Sequence, residues 1–340
     1  MMTKFILLFI SFLFFTGNSF SQTADTKTAL ETARSFINRG DNDNAILVLG
    51  RALQQDNKNL EIQKTIALAY YLKKDFARAM EQVKPLLDNA DADVMTFQIA
   101  GNIFKALEEL KECEKAYKKG LKLFPSSGPL YSEYGELLWA RKDYMAITQW
   151  EKGIETDPSY SGNYYNAALF YYFTKDKVWS IIYGEAFVNM ESLTERSVAM
   201  KKLIYDSYKE KLFAESDILK SEDKNKNPFS LAFLETMNKQ SSLANSGINP
   251  EILTMIRTRF ILDWYANYAD KFPVKLFDYH RQLLQAGMFD AYNQWLFGMV
   301  ESLSGYDSWT KTHSAEYNAF KDFQKSRIFK IPAGQYYQSK

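Results

Sequence analysis

This 340-residue sequence has one cysteine, two histidines and a formal net charge of only +1. With Cys113 alone, an intramolecular disulfide is impossible, so stability must come from burial. Neither His280 nor His313 lies in a two-histidine helical motif, and a zinc site wants three or four ligands, so no metal or other cofactor is expected. No Gly-rich phosphate loop and no Gly-x-Ser-x-Gly elbow occurs. Ser-x-x-Lys runs at Ser221 to Lys224 and Ser308 to Lys311, without the companion motifs of a penicillin-binding enzyme. Cys113 has no activating partner in sequence and reads as a small packed side chain. No catalytic residue is assigned, and a non-enzyme is expected. Setting aside Lys4, the cations and anions balance, and the basic footprint of a nucleic-acid binder is missing.

Long apolar runs are also missing, except at the start. Lys4 precedes an apolar run from Phe5 to Phe15, followed by Gly17, Ser19 and Ser21. That order of charge, apolar run and small residues reads as a signal peptide over residues 1–21, cut before Gln22. The run is well short of the ~20 residues that span a bilayer, and the cysteine a lipoprotein signal needs is absent. The expectation is an exported chain, periplasmic or secreted, with no transmembrane segment after cleavage.

Aromatic residues are abundant, at 16%, with 22 Tyr and 25 Phe. They recur in phase. Asp56-Asn57, Phe124-Pro125 and Asp157-Pro158 each follow a helical run and mark a period of about 34 residues. Small residues recur at Ala45, Ala79, Cys113, Ala146 and Ser180, where two helices would cross closely. Large aromatics recur at Phe36, Tyr70, Phe104 and Tyr171 beside them. Gly40-Asp41, Lys74-Asp75 and Lys142-Asp143 read as tight turns, and Pro158 disfavours helix at the residue before it. One such helix pair cannot bury its apolar face alone, so neighbours must stack.

This pattern resembles the tetratricopeptide repeat, a helical hairpin of 34 residues. The resemblance covers residues 26–191, as units at 26–59, 60–93, 94–127, 128–160 and 161–191. It departs from the consensus at Asn57 and Asp91, where proline is usual, at the one-residue-short turn of the fourth unit, and at Phe187, where alanine is usual. It implies an all-α fold, an α-solenoid of helix-turn-helix repeats followed by a C-terminal helical domain. In such arrays the first helix of each repeat lines a concave face. The residues carried there include Leu30, Arg34, Lys64 and Glu136, and the candidates for binding a protein or peptide are Leu68, Tyr71, Asn102, Lys105, Trp139, Tyr165, Leu169 and Tyr172. Leu68 and Gln98 stand where the subclass that captures acidic chaperone tails has Asn and Lys, so that ligand is not expected.

Beyond the array, residues 192–227 read as a capping helix, or the first helix of a sixth repeat, and a polar linker at Lys220 to Asn227. Residues 228–330 return to helical periodicity. Asn249-Pro250 is a strong helix start, and that helix should end near Asp270. Three more helices are predicted, from Pro273 to Gly287, from Phe289 to Gly305 and from Ser308 to Phe329. Residues 331–340 read as a loose tail. The alternative to a binding scaffold is an enzyme or small-ligand binder, with a site at Arg257, Arg259, Asp263, Trp264 and His280 and the repeats as its frame. Arg259 and Asp263, four apart, are expected to pair on one helix face. A weaker alternative is a structural component that self-associates through its repeat ends.

Overall fold

The computed structural model describes residues 19–215, 217–219 and 227–338, with side chains from residue 25. The leader expected at residues 1–21 lies outside the described residues up to position 18. Positions 220–226 of the expected linker also lie outside them. Among the described residues every regular element is helical. They form two compact units, one ending at Tyr117 and one beginning at Lys118.

The first unit holds hairpins α1 (Ser19–Asn38)/α2 (Asn42–Gln55) and α3 (Leu60–Leu72)/α4 (Phe76–Val83), then α5 (Val94–Ala106) and the start of α6 (Leu110–Leu123). α3 packs on α1 and α2, and α5 packs on α3 and α4. The second unit continues with α7 (Gly128–Ala140)/α8 (Ala146–Thr156), α9 (Ser161–Tyr172)/α10 (Trp179–Met190) and α11 (Glu195–Asp206), which runs on as a wider π turn to Leu212. α9 packs on α7 and α8, and α11 packs on α9 and α10, so α11 takes the place of a sixth first helix. Within each unit this is the stacking of an α-solenoid.

The turns repeat in register. The backbone at Gly40, Lys74, Glu108 and Lys142 is left-handed, with φ of 77°, 65°, 58° and 58°. In each hairpin the next residue's N–H returns to the carbonyl five positions back: Asp41 to Phe36, Asp75 to Tyr70, Glu109 to Phe104 and Asp143 to Leu138, all at 2.9 Å. Asp41 and Asp75 then cap the second helix, accepting from Asn44 and Arg78. Glu108-Glu109 is a turn of the same kind that composition did not reveal. The small residues Ala45, Ala79, Cys113, Ala146 and Ser180 are all 0% exposed. Phe36 and Tyr70 pack on the core of the first two hairpins, and Phe104 is buried. The missing residue of the fourth repeat falls between the Lys142 turn and Ala146, as the spacing predicts.

The C-terminal helices are α12 (Pro228–Asn238), the single turn α13 (Ser241–Ala244), α14 (Pro250–Asn267), α15 (Lys275–Gln285), α16 (Phe289–Asn293) with a π turn to Gly298 and α17 (Met299–Glu301), α18 (Leu303–Thr312) and α19 (Ser314–Lys325). Asn249 caps α14 as predicted, and Gly287 ends α15 in the left-handed region. Two breaks were not predicted. Ser302 ends the third helix short of Gly305 and caps α18 by accepting from the Gly305 N–H, and the chain breaks again at His313.

The expected loose tail is instead anchored through Gln338. Tyr337 is buried, stacks on Phe229 at 5.0 Å, and donates its hydroxyl to the Pro273 carbonyl at 2.7 Å. Two adjacent aromatic rings bury enough apolar area to hold a segment that has no regular structure of its own.

Candidate functional site

In the first unit the first helices are joined by charge. Arg34 of α1 pairs with Glu61 of α3 at 2.6 Å, and Lys64 of α3 pairs with Glu61 at 2.7 Å and with Asp93, the cap of α5, at 2.6 Å. Burial works against the charged forms, but the pairing wins. Lys64 stays above its ordinary value, and Asp93, which also accepts from Thr96, stays below its own. Lys64 is thus committed to the frame. Leu68, Tyr71, Asn102 and Lys105 are half-buried on the same helices. Tyr71 meets Phe76 at 5.9 Å, and the Lys105 ammonium sits 5.9 Å from the Tyr117 ring.

In the second unit the link between first helices is polar. Asn166 of α9 donates to Glu136 of α7 at 3.0 Å and to Ser132 at 3.2 Å. Trp139 is 37% exposed, with its ring against Phe170 at 5.5 Å, Tyr144 at 6.0 Å and Trp150 at 6.1 Å. Tyr144 and Met145 beside it are more exposed still. Tyr165 is half-buried against Phe187 at 5.0 Å and under the Arg196 guanidinium at 5.0 Å, which in turn forks onto Glu191. Tyr172 lies under the Lys211 ammonium at 4.8 Å, and Leu169 is half-buried. Trp139 is therefore the most open aromatic of the eight expected residues, while Tyr165 and Tyr172 are partly covered by cations from the next elements.

The alternative site resolves differently. Arg257 and His280 do meet, on Glu185 of α10, which is not among the residues expected from sequence. One Glu185 oxygen takes the Arg257 guanidinium, His280 Nε2 at 2.8 Å and the Tyr292 hydroxyl at 2.7 Å, and Arg257 also reaches Asn293. Burial alone would raise the Glu185 carboxyl, but the charge of Arg257 and the bonds from His280 and Tyr292 hold it well below the carboxylate range. Burial pushes His280 below its ordinary value, against the pull of the Glu185 carboxylate. The void beside this cluster measures about 10 Å³, no more than one water's worth, and is walled by Phe233, Phe260 and Phe277. This is a sealed core ion pair and offers no ligand an entry.

Trp264 is buried in the same aromatic core, 5.6 Å from Phe260 and 5.0 Å from Phe277. Arg259 is exposed. Asp263 pairs with Lys239 at 3.7 Å and accepts from Gln240, so the expected Arg259–Asp263 pair gives way to partners on the α12–α13 side. The signal for Glu185 was present in sequence, as the lone charge within the run Trp179 to Val188. No group of three or more potential metal ligands occurs among the described residues. No described helix is long and apolar enough to cross a membrane.

Four hairpins in phase, each with a left-handed turn and a fully buried small residue, have the pattern of tetratricopeptide repeats, and the fifth keeps the buried small residue without the left-handed turn. A family model described as anaphase-promoting complex, cyclosome, subunit 3 matches residues 38–120. Among curated proteins none matches. Solved structures include a thermophilic tetratricopeptide protein of Thermus thermophilus, 13% identical, covering 53% of this chain and 98% of its own, at a TM-score of 0.45. A tetratricopeptide repeat protein of Parabacteroides merdae is 14% identical, covering 76% and 98%, at 0.42. YrrB, described as having an unusual peptide-binding site, is 16% identical, covering 54% and 98%, at 0.38.

Proposed function

We propose that this protein is a non-catalytic interaction module, which holds a peptide or partner helix on the face formed by its first helices. The observation that carries this reading is the open aromatic surface at Trp139, flanked by Tyr144 and Met145, on first helices that Asn166 ties together through Glu136 and Ser132. Exposed aromatic anchors on rigid frames supply most of the energy of such interfaces. The leader-like start of the sequence supports an exported, envelope-associated setting, which N-terminal sequencing of the mature chain would test at Gln22. The binding reading is tested by crosslinking and affinity capture from the cell envelope. A stoichiometric partner should be recovered, and Trp139→Ala should lower its recovery roughly tenfold or more, the scale of an interface hot spot. Recovery that is equal with and without Trp139 would place the interface elsewhere.

A further inference from the structure

Between the end of α10, the outer face of α15 and the segment after α19 lies a cleft of about 220 Å³, far larger than the ~10–15 Å³ one water needs. Its lining carries two cations, Lys275 and Arg327, and no acidic side chain. Neither cation has an ion-pair partner among the described residues. Two unneutralised charges in a concave site raise the local concentration of anions. Arg327 is also set in place: its guanidinium lies 4.3 Å from the Phe323 ring centroid, and Tyr279 packs on Phe323 and, edge-on at 5.5 Å, on Phe329.

The neutral lining has its own chemistry. Gln282 and Gln324 are amides able to donate and to accept, and Asn189, whose NH2 is spent on the Glu185 carbonyl and the Tyr292 hydroxyl, offers its oxygen as an acceptor, a set that suits a ligand rich in hydroxyls. Tyr279 supplies an aromatic wall for the apolar face of a ring. We propose that this cleft binds a small hydroxylated anion about the size of one sugar ring, its carboxylate or phosphate held between Lys275 and Arg327. Its lining shares no residue with the first-helix candidates, so the proposal stands independently of the partner reading.

The test is calorimetric titration of the full chain with three probes: glucuronate, glucose 6-phosphate and glucose. At least one of the two anions should bind with Kd under about 1 mM, and glucose should bind at least about tenfold more weakly. Which anion binds separates a carboxylate from a phosphate ligand. Arg327→Gln and Lys275→Gln should each weaken the anion about tenfold or more, the scale of a lost charged hydrogen bond. Both side chains are exposed, so thermal melts of the variants should match the parent and exclude misfolding. The proposal is overturned if neither anion binds, if glucose binds as well as the anions, or if both variants keep full affinity.

Discussion

Lys74, Glu108 and Lys142 occupy a backbone region that Gly40 occupies without strain in the first hairpin. A side chain there costs on the order of 1 kcal/mol, and glycine returns part of that through its larger unfolded-state entropy. Lys142→Gly is therefore expected to raise stability by up to about 1 kcal/mol, visible as a higher thermal midpoint. Gly40→Lys should lower it by a similar amount.

The Glu185 centre makes the opposite kind of prediction. Arg257→Met leaves a buried carboxylate without its cation and should cost about 3–5 kcal/mol. Pairing it with Glu185→Leu should recover most of that loss, because two apolar groups no longer leave a stranded charge. The pH dependence follows from the depressed carboxyl. Its stabilisation is in place above the unfolded carboxylate value near 4.5 and is lost as pH falls through its lower folded value. The parent should therefore lose stability on acidification below about pH 4.5, and the double variant should lose less, in chemical-denaturant midpoints taken across that range.

At the scale of elements, the segment 331–338 carries its own test. Tyr336 and Gln338 reach toward Glu151 of α8, whose oxygen also accepts from Tyr171 at 2.6 Å. Burial raises this carboxyl to about 7, although the bonds from Tyr171, Tyr336 and Gln338 oppose it. A folded value above the unfolded one means the contribution is fully present below about pH 4.5 and is lost as pH rises through 7. Proteolytic nicking or amide exchange at Tyr336 to Gln338 should accelerate from pH 5 to pH 8, and Glu151→Gln should flatten that rise. A parent whose exchange, corrected for intrinsic rates, does not change would refute the coupling.

Pro332 and Gly334 advertised the break in this segment, but its docking depends on tertiary partners, Phe229 and Glu151, that local pattern cannot name. The breaks at Ser302 and His313 escaped for a related reason: apolar spacing runs through both, and only the Ser302 hydroxyl on the Gly305 N–H shows where one helix yields to the next. The hairpins were legible because their rules are local. A small residue at a crossing and a left-handed turn recur whatever surrounds them.

At the scale of the whole molecule, the limits of local reading concern α10. Phe187 stands where the repeat expects alanine, and every residue from Trp179 to Val188 is buried. A helix apolar all round is covered on all sides. Trp179 stacks on Phe229 at 5.4 Å, Ile181 and Ile182 face Phe233, Phe260 and Phe277, and Glu185 takes Arg257 and His280. The fifth hairpin therefore shares a core with α12, α14 and α15. The sequence boundary at 191 divides residues that the second compact unit, from Lys118 onward, holds together.

A chain cut after residue 191 would bare Trp179, Ile181, Ile182 and Tyr183 and strand the Glu185 carboxylate. At about 1.5–3 kcal/mol for each large apolar side chain, the exposed face alone is worth on the order of 10 kcal/mol, comparable with the ~5–15 kcal/mol that holds a typical domain folded. The shortened chain is expected to melt far below the full chain or to associate through the bared face, measured by circular dichroism and light scattering. A monomeric fragment melting cooperatively at the full-length temperature would mean that the repeats stand without the C-terminal helices, and that α10 gains nothing from being enclosed.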